Sequence, residues 1–144
     1  MVSIRIVCVG NLKEKYWKDA MAEYGKRLNR FCNFEVVETP ESEPEKEKTA
    51  IIKNLQGYVF ALCVEGKQCA SVDFAHKIEK IMQSDSKITF VIGGSDGLSE
   101  EVKKLSSARL SFSEMTFPHQ LMRVVLAEQI YRAFTISNNI TYHK

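Results

Sequence analysis

Two stretches in the second half of the chain combine residue types and spacings that suit a small-molecule site. The first is an apolar run ending in paired glycines, Ile88-Thr89-Phe90-Val91-Ile92-Gly93-Gly94-Ser95-Asp96-Gly97. The second is Leu110-Ser111-Phe112-Ser113-Glu114-Met115-Thr116-Phe117-Pro118-His119-Gln120-Leu121. Each reads as a strand running into a loop, one poor in side-chain bulk and the other rich in backbone donors. Open α/β sheets place ligands where such loops meet at the strand ends. Gly93 and Gly94 permit a ligand to approach the backbone, and Gly97 allows a positive-φ turn. The pattern is not Gly-x-Gly-x-x-Gly and no Gly-Lys-Ser/Thr loop occurs, so dinucleotide and nucleoside triphosphate sites lack their motifs. Taken alone, the first loop is read more simply as a glycine turn between strand and helix.

The second loop shifts that balance. Thr116 is placed to cap a helix begun by Pro118, whose missing donor is harmless in a first helical turn. The Ser113 to Phe117 backbone is then held at a helix start, and rigid loops with free amides suit adenine edges and carboxylates. His119 is a candidate general base, although a histidine at a helix start more often caps or packs. Arg123 and Arg132 stand nine residues apart on the same helix. That spacing puts them on opposite sides, so they cannot both serve one site within a subunit but can across a dimer.

The elements that must position these residues follow from hydrophobic periodicity. Val2 to Val9 reads as a buried strand closed by Gly10-Asn11, and the stripe Trp17, Ala20/Met21, Tyr24, Leu28 and Phe31 marks an amphipathic helix. Phe34 to Glu38 gives a strand stopped by Thr39-Pro40. Glu41 to Lys48 is the most polar segment and is expected to be mobile. A short helix from Ala50 to Leu55 is expected to end at Gly57. Tyr58 to Val64 is continuously apolar, as in strands buried on both faces. Ser71 can cap a helix with the face Val72, Ala75, Ile78 and Ile81/Met82; a helix from Ser99 follows the Ile88 to Ile92 strand, and Leu110 to Phe112 is a short last strand. The alternation of strand and helix predicts an α/β fold with a mainly parallel sheet flanked by helices. From His119 to Ile136 apolar residues occupy nearly every side of the last helix. One side packs on the sheet and the other requires cover, which a twofold homodimer supplies; a central helix in a monomer is the alternative.

At 144 residues the chain fits a single domain spanning 1 to 144, able to bury about 70% of its unfolded surface. The four cysteines, Cys8, Cys32, Cys63 and Cys69, form no Cys-x-x-Cys pair and have no histidine at ligand spacing, so no metal site is expected. No stretch approaches ~18 apolar residues and no signal peptide is evident, so a cytoplasmic protein without a membrane partner is expected. The formal net charge of +2 gives no argument for nucleic-acid binding. Its distribution is uneven: Asn11 to Arg30 holds six basic residues against three acidic, whereas Glu35 to Glu47 holds six glutamates against one lysine. The basic segment can face a polyanion or be a solvated helix surface.

The residues also carry a resemblance. Val-Ile-Gly-Gly-x-x-Gly-Leu at Val91 to Leu98, the run Leu110 to Leu121, Leu-Ala-Glu-Gln-Ile-Tyr-Arg-Ala-Phe at Leu126 to Phe134 and terminal Tyr142-His143-Lys144 resemble the ribosomal RNA large subunit methyltransferase H family, of the SPOUT class. The start agrees as well, from Ile6 to Gly10 and from Lys15 through Leu28, so the resemblance spans essentially the whole chain. Three features depart from it: the Thr39 to Gln56 region is shorter, Asn138-Asn139-Ile140-Thr141 replaces a Gly and Pro before Tyr-His, and Cys63 and Cys69 are unusual.

The resemblance implies a homodimer with a C-terminal trefoil knot that cradles S-adenosyl-L-methionine. Topology rules alone would argue against a knot. It further implies methylation of N3 of a pseudouridine in 23S ribosomal RNA on the assembled ribosome. Matched residue by residue, the cofactor contacts are Leu62, Gly93, Gly94, Phe112, Ser113, Glu114, Met115, Thr116 and Phe117. Arg132, Tyr142 and His143 are the catalytic candidates. Arg132, His143 and Lys144 can favour loss of the N3 proton, and Tyr142 can stack on or hydrogen-bond the base. The rival classes are a noncatalytic ribosome-binding module and a nicotinamide-dependent oxidoreductase. The latter needs a ribose-binding acid that the Gly10-Asn11-Leu12-Lys13 turn does not introduce.

Overall fold

The computed structural model describes residues 1–144. Five strands, β1 (Ser3–Val9), β2 (Asn33–Thr39), β3 (Tyr58–Lys67), β4 (Lys87–Ile92) and β5 (Ala108–Leu110), form one sheet in the order β2-β1-β4-β3-β5. Every pairing is parallel, with Ile6 beside Val36 on one side and Phe90 on the other. Alternation along β1 sends Ile4, Ile6 and Cys8 to one face and Val7 and Val9 to the other, which is why both faces need cover.

Five helices supply it: α1 (Lys15–Leu28), α2 (Pro44–Lys53), α3 (Ser71–Met82), α4 (Glu100–Leu105) and α5 (His119–Ser137). Helices α1, α3 and α5 pack on the larger core, where Phe60 and Phe90 stack with centroids 4.9 Å apart. Ile51 of α2 and Val102 of α4 close the smaller core over Val7, Val9, Val59 and Val91. Helix α5 lies between α1 and α3.

Several boundaries differ from the sequence expectation, each for a local reason. Helix α2 begins at Pro44, inside the segment expected to be mobile, because Pro44 starts its first turn with Glu45 and Glu47 beside it. Lys48 joins Glu45 at 2.7 Å and Glu101 of α4 at 3.0 Å, holding the two helices together. That helix stops at Asn54, and Gly57 instead opens β3 with φ +64. Ser71 caps nothing; its hydroxyl donates to Gln129 Oε1 of α5 at 2.7 Å. Phe74, not the exposed Val72, completes the buried face of α3. Strand β5 ends at Leu110, where its register with β3 jumps from Leu62 to Lys67 and the Ser111 amide makes a last bond to Lys67 O at 3.0 Å. The N-cap of α5 is Pro118, and Thr116 makes no cap. The helix expected from Ser99 starts at Glu100, with Ser99 as its N-cap accepting from the Val102 amide.

Candidate active site

The carboxyl ends of β3, β4 and β5 open on a cavity of about 260 Å³. Its walls are Leu62 to Glu65, the loop from Ile92 to Leu98, the segment from Leu110 to Phe117, and His119 and Met122 at the start of α5. Of the nine residues matched to cofactor contacts, eight line this cavity; Glu114 does not and is exposed. Sequence reasoning missed Glu65 and Lys103 because it ended β3 at Val64. The longer strand carries Glu65 to within 2.6 Å of Lys103 from α4. That ammonium holds the Glu65 carboxyl below the usual carboxylate range, and burial raises the neighbouring Cys63 thiol.

The glycines shape the cavity through self-packing. A Cβ on Gly93 would lie 2.6 Å from the Gly97 carbonyl carbon and 2.8 Å from its oxygen. Gly97, at φ +74, donates its amide to Gly94 O at 3.0 Å and closes the tight turn. The absence of side chains at Gly93 and Gly94 therefore lets the turn fold onto β4 and β1, and the turn in turn forms one wall. Opposite it, Ser113 Oγ accepts from the Met115 amide at 2.9 Å while Ser113 O accepts from Ser111 Oγ at 3.0 Å. These bonds order the loop without help from Thr116. His119 lines the cavity, and its buried Nδ1 has no hydrogen-bond partner. Apolar and polar residues share the walls, a mixture that suits a small organic ligand.

The three catalytic candidates meet elsewhere. Arg132 donates to Glu128 at 2.7 Å and lies 3.0 Å from His143 Nδ1, with its guanidinium 4.8 Å from the centre of the Tyr142 ring. Tyr142 donates its hydroxyl to the other Glu128 oxygen at 2.8 Å and meets Tyr131 edge-on. That bond to the carboxylate is the main cause raising the Tyr142 hydroxyl above its ordinary pKa, while burial pushes Tyr24 up to about 12. The tail reaches this position because Asn139 adopts φ 55 and the Ile140 amide bonds Thr135 O, folding the end back on α5. Asparagine supplies the left-handed conformation there. The tail is thus pinned against α5.

Arg132 follows Met122 by ten residues on α5, a rise of about 15 Å. Cavity and tail cluster therefore stand apart within one chain. Arg123 joins neither: it is 2% exposed, paired with Glu38 at 2.5 Å and donating to Gly10 O at 3.2 Å. The opposition of the two arginines holds, but Arg123 is committed to tying α5 to the ends of β1 and β2.

Together, the parallel sheet and the loop-walled cavity at its carboxyl end define an α/β protein with a small-molecule site at its strand ends. The fold matches that of a probable methylase family protein from Haemophilus influenzae Rd KW20, over 98% of this chain and 70% of that one, with TM-score 0.61 at 17% identity. The family described as predicted SPOUT methyltransferase matches residues 2–143. Among relatives named ribosomal RNA large subunit methyltransferase H, one from Limosilactobacillus reuteri is 50% identical and one from Streptococcus uberis 48%. Each match covers 99% of this chain and all of the relative. The chain belongs to the SPOUT methyltransferases and, within them, to the ribosomal RNA large subunit methyltransferase H family. It is a methyltransferase, so the noncatalytic and nicotinamide-dependent readings give way. No helix is long and apolar enough to cross a membrane.

Proposed function

We propose that the protein is a cytoplasmic, homodimeric enzyme that methylates N3 of a pseudouridine in 23S ribosomal RNA of the assembled ribosome, using S-adenosyl-L-methionine. The observation that carries this reading is the separation along α5: a glycine-shaped cavity at one end and an Arg-Tyr-His cluster at the other. A twofold partner lying against α5 brings one protomer's cavity to the other's tail. Leu121 and Val125 support that placement, since both are only half-buried in the single chain. The segment from Ser111 to Pro118, which leaves the sheet edge and returns to a helix between α1 and α3, is read as part of the trefoil knot.

Bound S-adenosyl-L-methionine supplies an electrophilic methyl group on a sulfonium. Gly93, Gly94 and the Phe112 to Phe117 loop would hold it, with Leu62 packing against it. Arg132 and His143 would favour the anionic form of the target base, so that its N3 proton passes to solvent water as the methyl group leaves the sulfonium for N3. Tyr142, whose hydroxyl donates to Glu128 in the free protein, would stack on the base or turn its hydroxyl to it. Holding donor and acceptor in line contributes most of the acceleration, and no covalent bond to the enzyme is needed. Mass spectrometry of 23S ribosomal RNA from cells lacking the protein tests the assignment. Loss of one methyl group from a pseudouridine supports it; unchanged ribosomal RNA refutes it.

A further inference from the structure

Guanidinium and aromatic side chains concentrate around the tail cluster in a way that packing alone does not require. Arg27 of α1 sits with its guanidinium carbon 5.3 Å from the Tyr24 ring centre and 5.5 Å from that of Tyr131. Tyr131 in turn meets Tyr142 edge-on at 5.0 Å. Arg30, one turn further along the chain, lies over Phe31, whose ring is 6.2 Å from Tyr131. Arg27, Arg30 and Arg132 therefore share one connected aromatic platform built from α1, α5 and the tail.

Their charge is only partly neutralised. Arg132 is engaged by Glu128. Arg27 is bonded through Nε to Glu23 at 2.7 Å, an exposed pair that adds little to stability. Its terminal nitrogens have no hydrogen-bond partner in the fold, and Arg30 forms no ion pair. Lys26 adds a further exposed cation in the last turn of α1. Guanidinium groups held over aromatic rings, with outer nitrogens free at Arg27, suit bidentate contact with phosphate.

We propose that Arg27 and Arg30 bind the RNA backbone beside the target nucleotide, positioning the strand so that the base reaches Tyr142 and Arg132. This rests on the ribosomal RNA reading above. It gives the basic stretch around α1 a specific ligand, ribonucleotide phosphates flanking the modified base. Phosphate contacts fix register and orientation and carry a strong salt dependence.

The test is steady-state methylation of ribosomes purified from a strain lacking this enzyme, by the full-length wild type and by R27Q, R27K and R30Q, across a salt series. Wild-type activity on these ribosomes is the first control; its absence would refute the ribosomal RNA reading itself. With the wild type active, R27Q is expected to raise KM roughly tenfold, as loss of a charged hydrogen bond does. It should also lower the slope of log(kcat/KM) against log salt by about 1. R27K should restore the slope, since the charge remains, without fully restoring KM. R30Q, on an exposed residue whose change leaves the fold intact, should lower the slope in the same sense. Wild-type KM and slope in both R27Q and R30Q would overturn the proposal. So would a fall in Tm or cofactor affinity in R27Q with an unchanged slope, which would make Arg27 a strut between α1 and α5.

Discussion

Replacing Gly93 by alanine should weaken cofactor binding through the backbone of the neighbouring turn and not by filling the cavity. The new Cβ would stand 2.6 Å from the Gly97 carbonyl carbon, 2.8 Å from its oxygen and 2.9 Å from the Leu98 amide nitrogen. Carbon contacts settle at about 3.5–4.0 Å, so the 94–98 turn must retreat by roughly 1 Å. Overpacking of this kind costs about 1–3 kcal/mol. The wall that retreats belongs to the cavity, and each ~1.4 kcal/mol lost from binding is tenfold in affinity. Calorimetry of S-adenosyl-L-methionine with Gly93→Ala should thus show Kd raised about tenfold or more, and ligand-free melting should show a modest loss of stability. The matched control is Gly97→Ala, where a Cβ meets nothing within 4 Å and only the φ of +74 penalises the change. It should weaken stability by about 1–2 kcal/mol. A folded Gly93→Ala protein with wild-type affinity would refute the idea that this turn forms the cofactor site.

Three further outcomes are expected. Mixing a Gly93→Val protein with an Arg132→Ala protein, each inactive alone, should restore about a quarter of the activity, because half the dimers are mixed and each has one intact composite site; no recovery after verified subunit exchange would place the whole site in one chain. Glu38→Ala strands the buried Arg123 guanidinium and should destabilise the fold by about 3 kcal/mol in denaturant titration, whereas Glu38→Ala combined with Arg123→Met should recover most of that loss. Burial raises Cys8 to about 11 and Cys32 to about 12, so the folded state keeps protons that the unfolded thiols shed near pH 9, and stability should fall as pH rises from about 9 towards 11. A Cys32→Ala variant should flatten that alkaline decline in thermal melts, and an unchanged slope would contradict the assignment.

The core strands were legible because their apolar residues alternate or run continuously, as at Ile4 to Val9 and Ile88 to Ile92. The cavity was legible in part, since the glycine turn and the Phe112 to Phe117 segment mark loops that must leave a parallel sheet at one end. What escaped depends on partners distant in sequence. Ser71 and Thr116 have the chemistry of helix caps, but Ser71 finds a better acceptor in Gln129, and Thr116 lies two residues too early for the observed helix start. Glu65 entered the cavity rim only because β3 runs on to Lys67. The turn at Asn139 places Tyr142 against Glu128, a contact that residue types alone do not announce. The commitment of Arg123 to Glu38 likewise depends on β2 ending beside α5.

The most direct measurement is methyl transfer by the purified protein from radiolabelled S-adenosyl-L-methionine to ribosomes lacking the modification, with the label mapped by nuclease digestion and mass spectrometry. The account predicts one methyl group per ribosome, on N3 of a single pseudouridine of 23S ribosomal RNA, and none with the Arg132→Ala protein. Cofactor binding without any label in ribosomal RNA, or label on a different atom, would contradict it.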